Sequence, residues 1–310
     1  MTTITQLLGI RYPIFQGAMA QISRYPLAAA VSNAGGLGII ASGGMTAAEL
    51  QAEIRACKAL TDQPFAVNLM LMAPNIPELI EVIVAENVKV VTTGAGTPKK
   101  YMPQLKSAGI KVIPVVPSAA LAKKMEALEV DAVVAEGSEA GGHIGELSTM
   151  VLVPQVAAAV NIPVIAAGGI ANGKGMAAAF ALGAEGIQMG TAFLLAEECP
   201  IPLNVKEFVA AAGELDTVVT GRNGVAPVRS IKNKMIEQYQ QWEKENMPFE
   251  ELENLTLGSA KKAAAGDIEQ GSVMAGQVSG AIHEIKPAKK IIDDVLAEAK
   301  QTIKQLQVEV

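Results

Sequence analysis

The chain has 310 residues, a formal net charge of −6 at pH 7, and a composition that is 50% hydrophobic but only 4% aromatic. That length suits one large α/β domain, or a domain with an appendage, and the core needs no disulfide or metal staple. The acidic balance argues against a nucleic-acid partner. Cys57 and Cys199 have no metal-ligand spacing, and neither a leader nor a membrane-length apolar run is read, so a cytoplasmic protein engaging no membrane is expected.

Short β-branched runs bounded by Gly, Pro, Asn or Ser predict strands at 13–16 (PIFQ), 36–40 (GLGII), 65–69 (FAVNL), 88–93 (VKVVTT), 111–116 (KVIPVV), 131–136 (DAVVAE), 163–168 (PVIAAG) and 186–190 (GIQMG). Between them, segments 46–60, 75–87, 118–129 and 172–184 have helical spacing. The runs are almost continuously apolar, as strands covered on both faces must be. Strand and helix alternating in this way predict an α/β fold, a (β/α)8 TIM barrel over 1–197. An open doubly wound sheet is the alternative, and it is less favoured because no nucleotide fingerprint follows the first strand.

The remainder, 198–310, reads as a mainly helical cap. A charged helical stretch begins at Ile231, a Gly/Ser loop follows at 271–280, and an amphipathic helix opening at Pro287 returns to the barrel. Two acid-free runs stand out. Asn87 to Met125 holds Lys89, Lys99, Lys100, Lys106, Lys111, Lys123 and Lys124, and Thr217 to Ile236 holds Arg222, Arg229, Lys232 and Lys234. These are either solvated faces or a docking surface for an acidic partner.

In such barrels chemistry gathers where the strands end. The predicted strand ends carry QGAM (16–19), ASGG (41–44), Asn68, TGAG (93–96), EGSEAGGH (136–143), GGIANG (168–173) and QMGTAF (188–193). Glycine loops after the seventh and eighth strands form a recurring phosphate cradle. Gly17, Ala18, Met19, Asn68 and Gln188 add close backbone and amide groups suited to a flat heterocycle, and FMN combines such a ring with a phosphate. Met19, Met70 and Met72 are otherwise read as core filler. His143, one of two histidines, follows a glycine pair and is placed for acid–base work. His283 is read as structural.

The motifs YPIFQGAMA, AGGLGII, KVVTTGAG, AEGSEAGGHIG, PVIAAGGIANG, GIQMGTAF and GSVMAGQ resemble the FMN-dependent enoyl-[acyl-carrier-protein] reductase II family, which is grouped with nitronate monooxygenases. The resemblance implies FMN at the barrel mouth. Gly17, Ala18 and Met19 would line the flavin, and Asn68 would bond its ring edge. Glu136, Gly141 and Gly142 would lie beneath it. Gly168, Gly169, Gly190 and Thr191 would hold the phosphate, with Ala167, Gln188 and Met189 beside them. His143 matches the family's catalytic histidine. The cap loop near Ser272, Met274 and Gln277 resembles a segment near a monovalent cation site. The chain departs from the reductases at Ala18, where they often carry glycine, and at Ala20 and Gln21, where an aromatic residue is often found.

Two activities follow from the resemblance. One is reduction of a trans-2-enoyl-acyl-carrier-protein with NADH or NADPH, the last step of the fatty-acid elongation cycle, with an acidic acyl carrier protein as partner. The other is nitronate oxidation with O2. A non-redox barrel binding a phosphorylated ligand would show the same glycine loops. A homodimer is expected.

Overall fold

Runs of Val, Ile and Ala are stable as strands only when both of their faces are covered, and the fold supplies both covers. In the computed structural model, which describes residues 3–222, 224 and 227–306, the eight predicted strands are all present. They are β1 (Ile14–Gln16), β2 (Gly38–Ala41), β3 (Phe65–Met70), β4 (Val90–Gly94), β5 (Lys111–Val116), β6 (Val133–Glu136), β8 (Val164–Ala167) and β9 (Gly186–Met189). All their pairings are parallel, in the order β1-β9-β8-β6-β5-β4-β3-β2. The ring closes where Gln16 N donates to Leu37 O (3.0 Å) and Leu37 N donates to Ile14 O (2.9 Å). The protein is therefore a TIM barrel.

Alternate residues sort to two cores. Phe15, Leu37, Ile39, Ala66, Val90, Ile113, Val134 and Ile165 fill the interior, joined by Ile4 and Leu8 of the first helix, α1 (Ile4–Leu8). Ile14, Ile40, Val67, Val91, Val112, Val133 and Ile187 face outward. They meet helices α2 (Tyr25–Asn33), α3 (Ala47–Leu60), α4 (Ile76–Ala85), α5 (Met102–Ser107), α6 (Ala119–Glu126), α7 (Thr149–Ala157) and α8 (Gly173–Ala181). Thr46 opens α3 with a capping box to Glu49, and Asn172 caps α8 by accepting from Gly175 N at 2.9 Å.

The chain after β9 holds α9 (Thr191–Leu194), α10 (Leu203–Ala210), α11 (Lys234–Lys244), α12 (Phe249–Thr256), α13 (Ser259–Ala264) and α14 (Ala288–Gln305). It also holds two strands that its charge pattern had obscured, β10 (Thr217–Thr220) and β11 (Val228–Ile231). These form an antiparallel pair, and β11 pairs in turn with β7 (Gly142–His143), which lies in the loop after β6. Helix α14 lies outside the cap. It packs on α8 and α2 and fills the eighth place in the ring. Its buried stripe of Ala288, Ile291, Ile292, Val295 and Ala299 is the face that meets the barrel.

At the α8–α14 crossing the helices touch backbone to backbone. A Cβ on Gly173 would overlap Ala299 N and stand 2.5 Å from Val295 O. Gly173→Val should therefore force α14 outward, costing at least the roughly 1–3 kcal/mol typical of overpacking. A urea unfolding midpoint equal to that of the parent protein would show that α14 does not bear on the ring.

Candidate active site

Because side chains alternate along a strand, the two-residue period that puts Ala66, Val90, Val134 and Ile165 inside the barrel also directs Asn68, Thr92, Glu136 and Ala167 inward at the strands' C-terminal ends. Gln188 is likewise turned inward, between outward-facing Ile187 and Met189. Met189, expected beside the cofactor, is 1% exposed and packed in the outer core, so it lines no part of the site.

An open cleft lies at this end of the barrel, where ligand sites of this fold are built. The β1 loop contributes Gly17, Ala18 and Met19. The β6 strand and loop contribute Glu136, Glu139, Ala140 and Gly141, the β8 end contributes Ala167 to Ile170, and the β9 end contributes Gln188, Gly190 and Thr191. Met274 and Val278 of the cap loop complete it. Met19, read as core filler, therefore faces the cavity, and Met72 is 75% exposed. The structure does not bring Asn68 or Gly142 into this lining. The Asn68 amide instead donates to Thr92 Oγ1 at 2.9 Å.

Each wall is held by bonds that the sequence motifs did not reveal. Behind the β1 loop, the fully buried Gln16 donates to Ser23 Oγ (2.8 Å) and accepts from Ile39 N (3.0 Å), while Ser23 Oγ accepts from Met19 N (2.9 Å). After β8, Gly168 and Gly169 adopt φ of +92° and +70°, a left-handed pair that requires glycine. Beside them Glu139 takes the place of a helix cap. Its carboxylate accepts from Thr149 N at 2.9 Å, and the Thr149 hydroxyl lies 2.9 Å from both that carboxylate and the Gly168 carbonyl. Across the mouth, Gly276 N donates to Thr191 Oγ1 (2.9 Å) and Gln277 N to Glu139 O (3.0 Å), so the cap loop straps the β6 and β9 ends together.

The lining fits FMN. A Cβ at Gly190 would meet no atom within 4 Å, and its φ of −101° is open to any residue. Neither packing nor conformation demands glycine there, and the space left beside the Gly168–Gly169 amides is where a phosphate would lie. Two carboxylates adjoin it. Glu139 is turned to Thr149. Glu136 faces the cavity with no protein hydrogen-bond donor among the described residues, and burial pushes its carboxyl up to about 7.

His143 lies on β7, opposite Val228, and not on a free loop. Its side chain is exposed at the rim and is not part of the cavity lining. Packing around the ring nonetheless withholds enough water to bring its proton affinity below the ordinary value. Arg229, read from its charge run as part of a solvated face or a docking surface, is 7% exposed, and its guanidinium donates to Ser138 O (3.0 Å) and Thr217 Oγ1 (3.2 Å). His283 bonds the Ala210 carbonyl through Nδ1 (2.8 Å). Ser272 is buried with its hydroxyl on Ser230 (2.9 Å), Met274 lines the cavity and Gln277 is exposed, so the three residues of the expected cation site face different surroundings. Among the described residues no cluster of three or more His, Cys, Asp or Glu is placed to hold a metal ion, and no helix is long and apolar enough to cross a membrane.

The glycine loops suit a phosphate-bearing ligand of several kinds, and it is the comparison with known proteins that makes this a flavin-dependent oxidoreductase. The chain belongs to the nitronate monooxygenase family, whose model matches residues 1–79 and 72–298. The structure of FabK from Thermotoga maritima is 49% identical, with a TM-score of 0.95 and 99% of each chain covered. A probable nitronate monooxygenase of Staphylococcus saprophyticus is 34% identical over 97% of this chain and 98% of its own. A (3aS,4S,5R,7aS)-5-hydroxy-7a-methyl-1-oxo-octahydro-1H-indene-4-carboxyl-CoA dehydrogenase of Rhodococcus jostii is 33% identical over 98% and 97%. The non-redox barrel is thereby set aside.

Glu136 makes stability depend on pH. Its folded-state value of about 7 lies above the ordinary 4.5, so the native state holds this proton more tightly. That stability is fully present below pH 4.5 and is lost as pH rises through 7. The gap corresponds to on the order of 3 kcal/mol at most, and water in the cavity reduces it. Glu136→Gln should raise the urea midpoint of the flavin-free protein at pH 8 and change it little at pH 4.5. Equal shifts at both pH values would contradict a buried, unpaired carboxyl.

Proposed function

We propose that the protein is an FMN-dependent enoyl-acyl-carrier-protein reductase. The observation that carries this reading is the full-length similarity to FabK, an enoyl-acyl-carrier-protein reductase of the second type, at 49% identity, against 34% for the monooxygenase relative. The Rhodococcus relative also bears a name describing redox chemistry on a coenzyme A thioester, which supports a thioester substrate.

When bound, FMN would accept a hydride from NADH or NADPH and pass it to the β-carbon of a trans-2-enoyl thioester. The chain supplies the rest. Amides at Gly168, Gly169 and Gly190 would hold the phosphate, and Gln188 with the Gly17–Met19 backbone would orient the ring. His143 delivers a proton to the α-carbon as the thioester gains its hydride. A lowered proton affinity makes its imidazolium the stronger acid for that step. Lys99 and Lys100, exposed in the turn after β4 at the mouth end of the barrel, suit an acidic carrier protein.

The second reading, nitronate oxidation, draws on the family model and the Staphylococcus relative. In it His143 accepts a proton from a nitroalkane. One pair of assays separates the two: oxygen-free turnover of a crotonyl thioester with NADH, and nitronate consumption in air. The reductase reading expects the first to be the faster, and the reverse ranking would replace it. His143→Ala should leave FMN bound and flavin bleaching by NADH near normal. Flavin recolouring by the enoyl thioester should slow by roughly 10²–10⁴-fold, as for loss of a positioned acid. Stopped-flow spectra with normal recolouring would remove His143 from the chemistry.

A further inference from the structure

The segment from Ser138 to His143 forms one wall of the cavity and ends at the rim histidine. Its own backbone gives it little stiffness. Gly142 takes φ +79°, and Gly141 has no room for a side chain, because a Cβ there would stand 2.6–2.8 Å from the Ala275 backbone. A segment of this kind is held from outside or is not held at all. One residue reaches both of its ends. Arg229 is the ladder partner of Gly142 on β11, and its Nε and Nη2 both donate to the Ser138 carbonyl, at 3.2 and 3.0 Å. Its Nη1 reaches across the hairpin to Thr217 Oγ1 on β10.

This arginine is an expensive choice for a merely structural position. It is buried, and it has no carboxylate within ion-pair distance among the described residues. Burial and the nearby Arg222 lower its proton affinity, with Glu139 pulling the other way. A buried cation satisfied by a carbonyl and a hydroxyl costs more than an apolar side chain would. What it gains is a planar fork that locks onto one carbonyl in one orientation.

We propose that Arg229 is a positioning residue: it clamps the Ser138–His143 segment to the β10–β11 hairpin and so sets where the His143 imidazole stands at the barrel mouth. The inserted hairpin thereby determines the geometry of a wall that the barrel itself provides. The proposal deepens the reading of His143 given above, but its test needs neither flavin nor substrate, so the two can fail separately.

The chain has only two histidines, so their ring resonances can be assigned by NMR and that of His143 followed with pH. In the parent protein the packing around His143 holds its pKa below the ordinary value. In Arg229→Met the segment loosens and the partial cover over the ring is lost, so the His143 pKa should rise towards the ordinary value. The ring resonances of His283, bonded to the Ala210 carbonyl, should keep their positions at a fixed pH and so report an intact fold. Arg229→Lys retains the charge but not the fork and should give a shift in the same direction. Thr217→Val, which removes one acceptor and no charge, should give a smaller one. An unchanged His143 titration in folded Arg229→Met overturns the proposal. If that variant does not fold, unchanged titrations in both Arg229→Lys and Thr217→Val overturn it as well.

Discussion

Strand alternation is the constraint on which the rest of the structure depends. In a closed parallel barrel every second side chain must point to the axis, and the others must meet the helices. Side chains near the axis are apolar through most of the barrel's depth and turn polar only at the C-terminal ends of the strands, where Asn68, Thr92, Glu136 and Gln188 appear. The same rule assigns Gln188 to the cavity and Met189, one residue later, to the outer core. No separate device is needed to concentrate polarity at the mouth.

A cavity suited to a phosphate has to manage its own acids. Glu139 is drawn aside by the α7 amide and hydroxyl of Thr149, where a carboxylate also complements the positive end of the helix. Glu136 has no such partner, and burial raises its affinity for a proton. Arg229 stands behind the same wall with its charge satisfied by neutral oxygens. The result is a lining in which backbone amides and the Gln188 side chain face the cavity while the Glu139 carboxylate is engaged by Thr149.

The insertion between β9 and α14 contributes to the barrel at several points. Its hairpin extends the β6 loop into a three-stranded sheet, and its loop at 272–277 bonds to Glu139 and Thr191. Both attachments fall on the mouth, while α14 carries the chain back to the ring on the outer side. The expected cap is therefore part of the site's wall as well as its cover.

The sequence by itself determined the elements whose signal is local. A two-residue or continuous apolar period marks each barrel strand, glycine pairs mark the loops at Gly168 and Gly141, and a helical stripe marks α14. It also singled out most of the cavity lining, because strand ends can be read from the same period. Only the tertiary structure decided the long-range pairings. Arg229 finds Gly142 across more than eighty residues, and the short runs of β10 and β11 carry too few residues to declare a partner or a register. Charge patterning assigned Arg229 to the surface because charge alone does not report burial, and burial depends on which segment packs above. The places of Glu139, of the cap strap and of α14 in the ring likewise follow from contacts between distant parts of the chain, which no local period encodes.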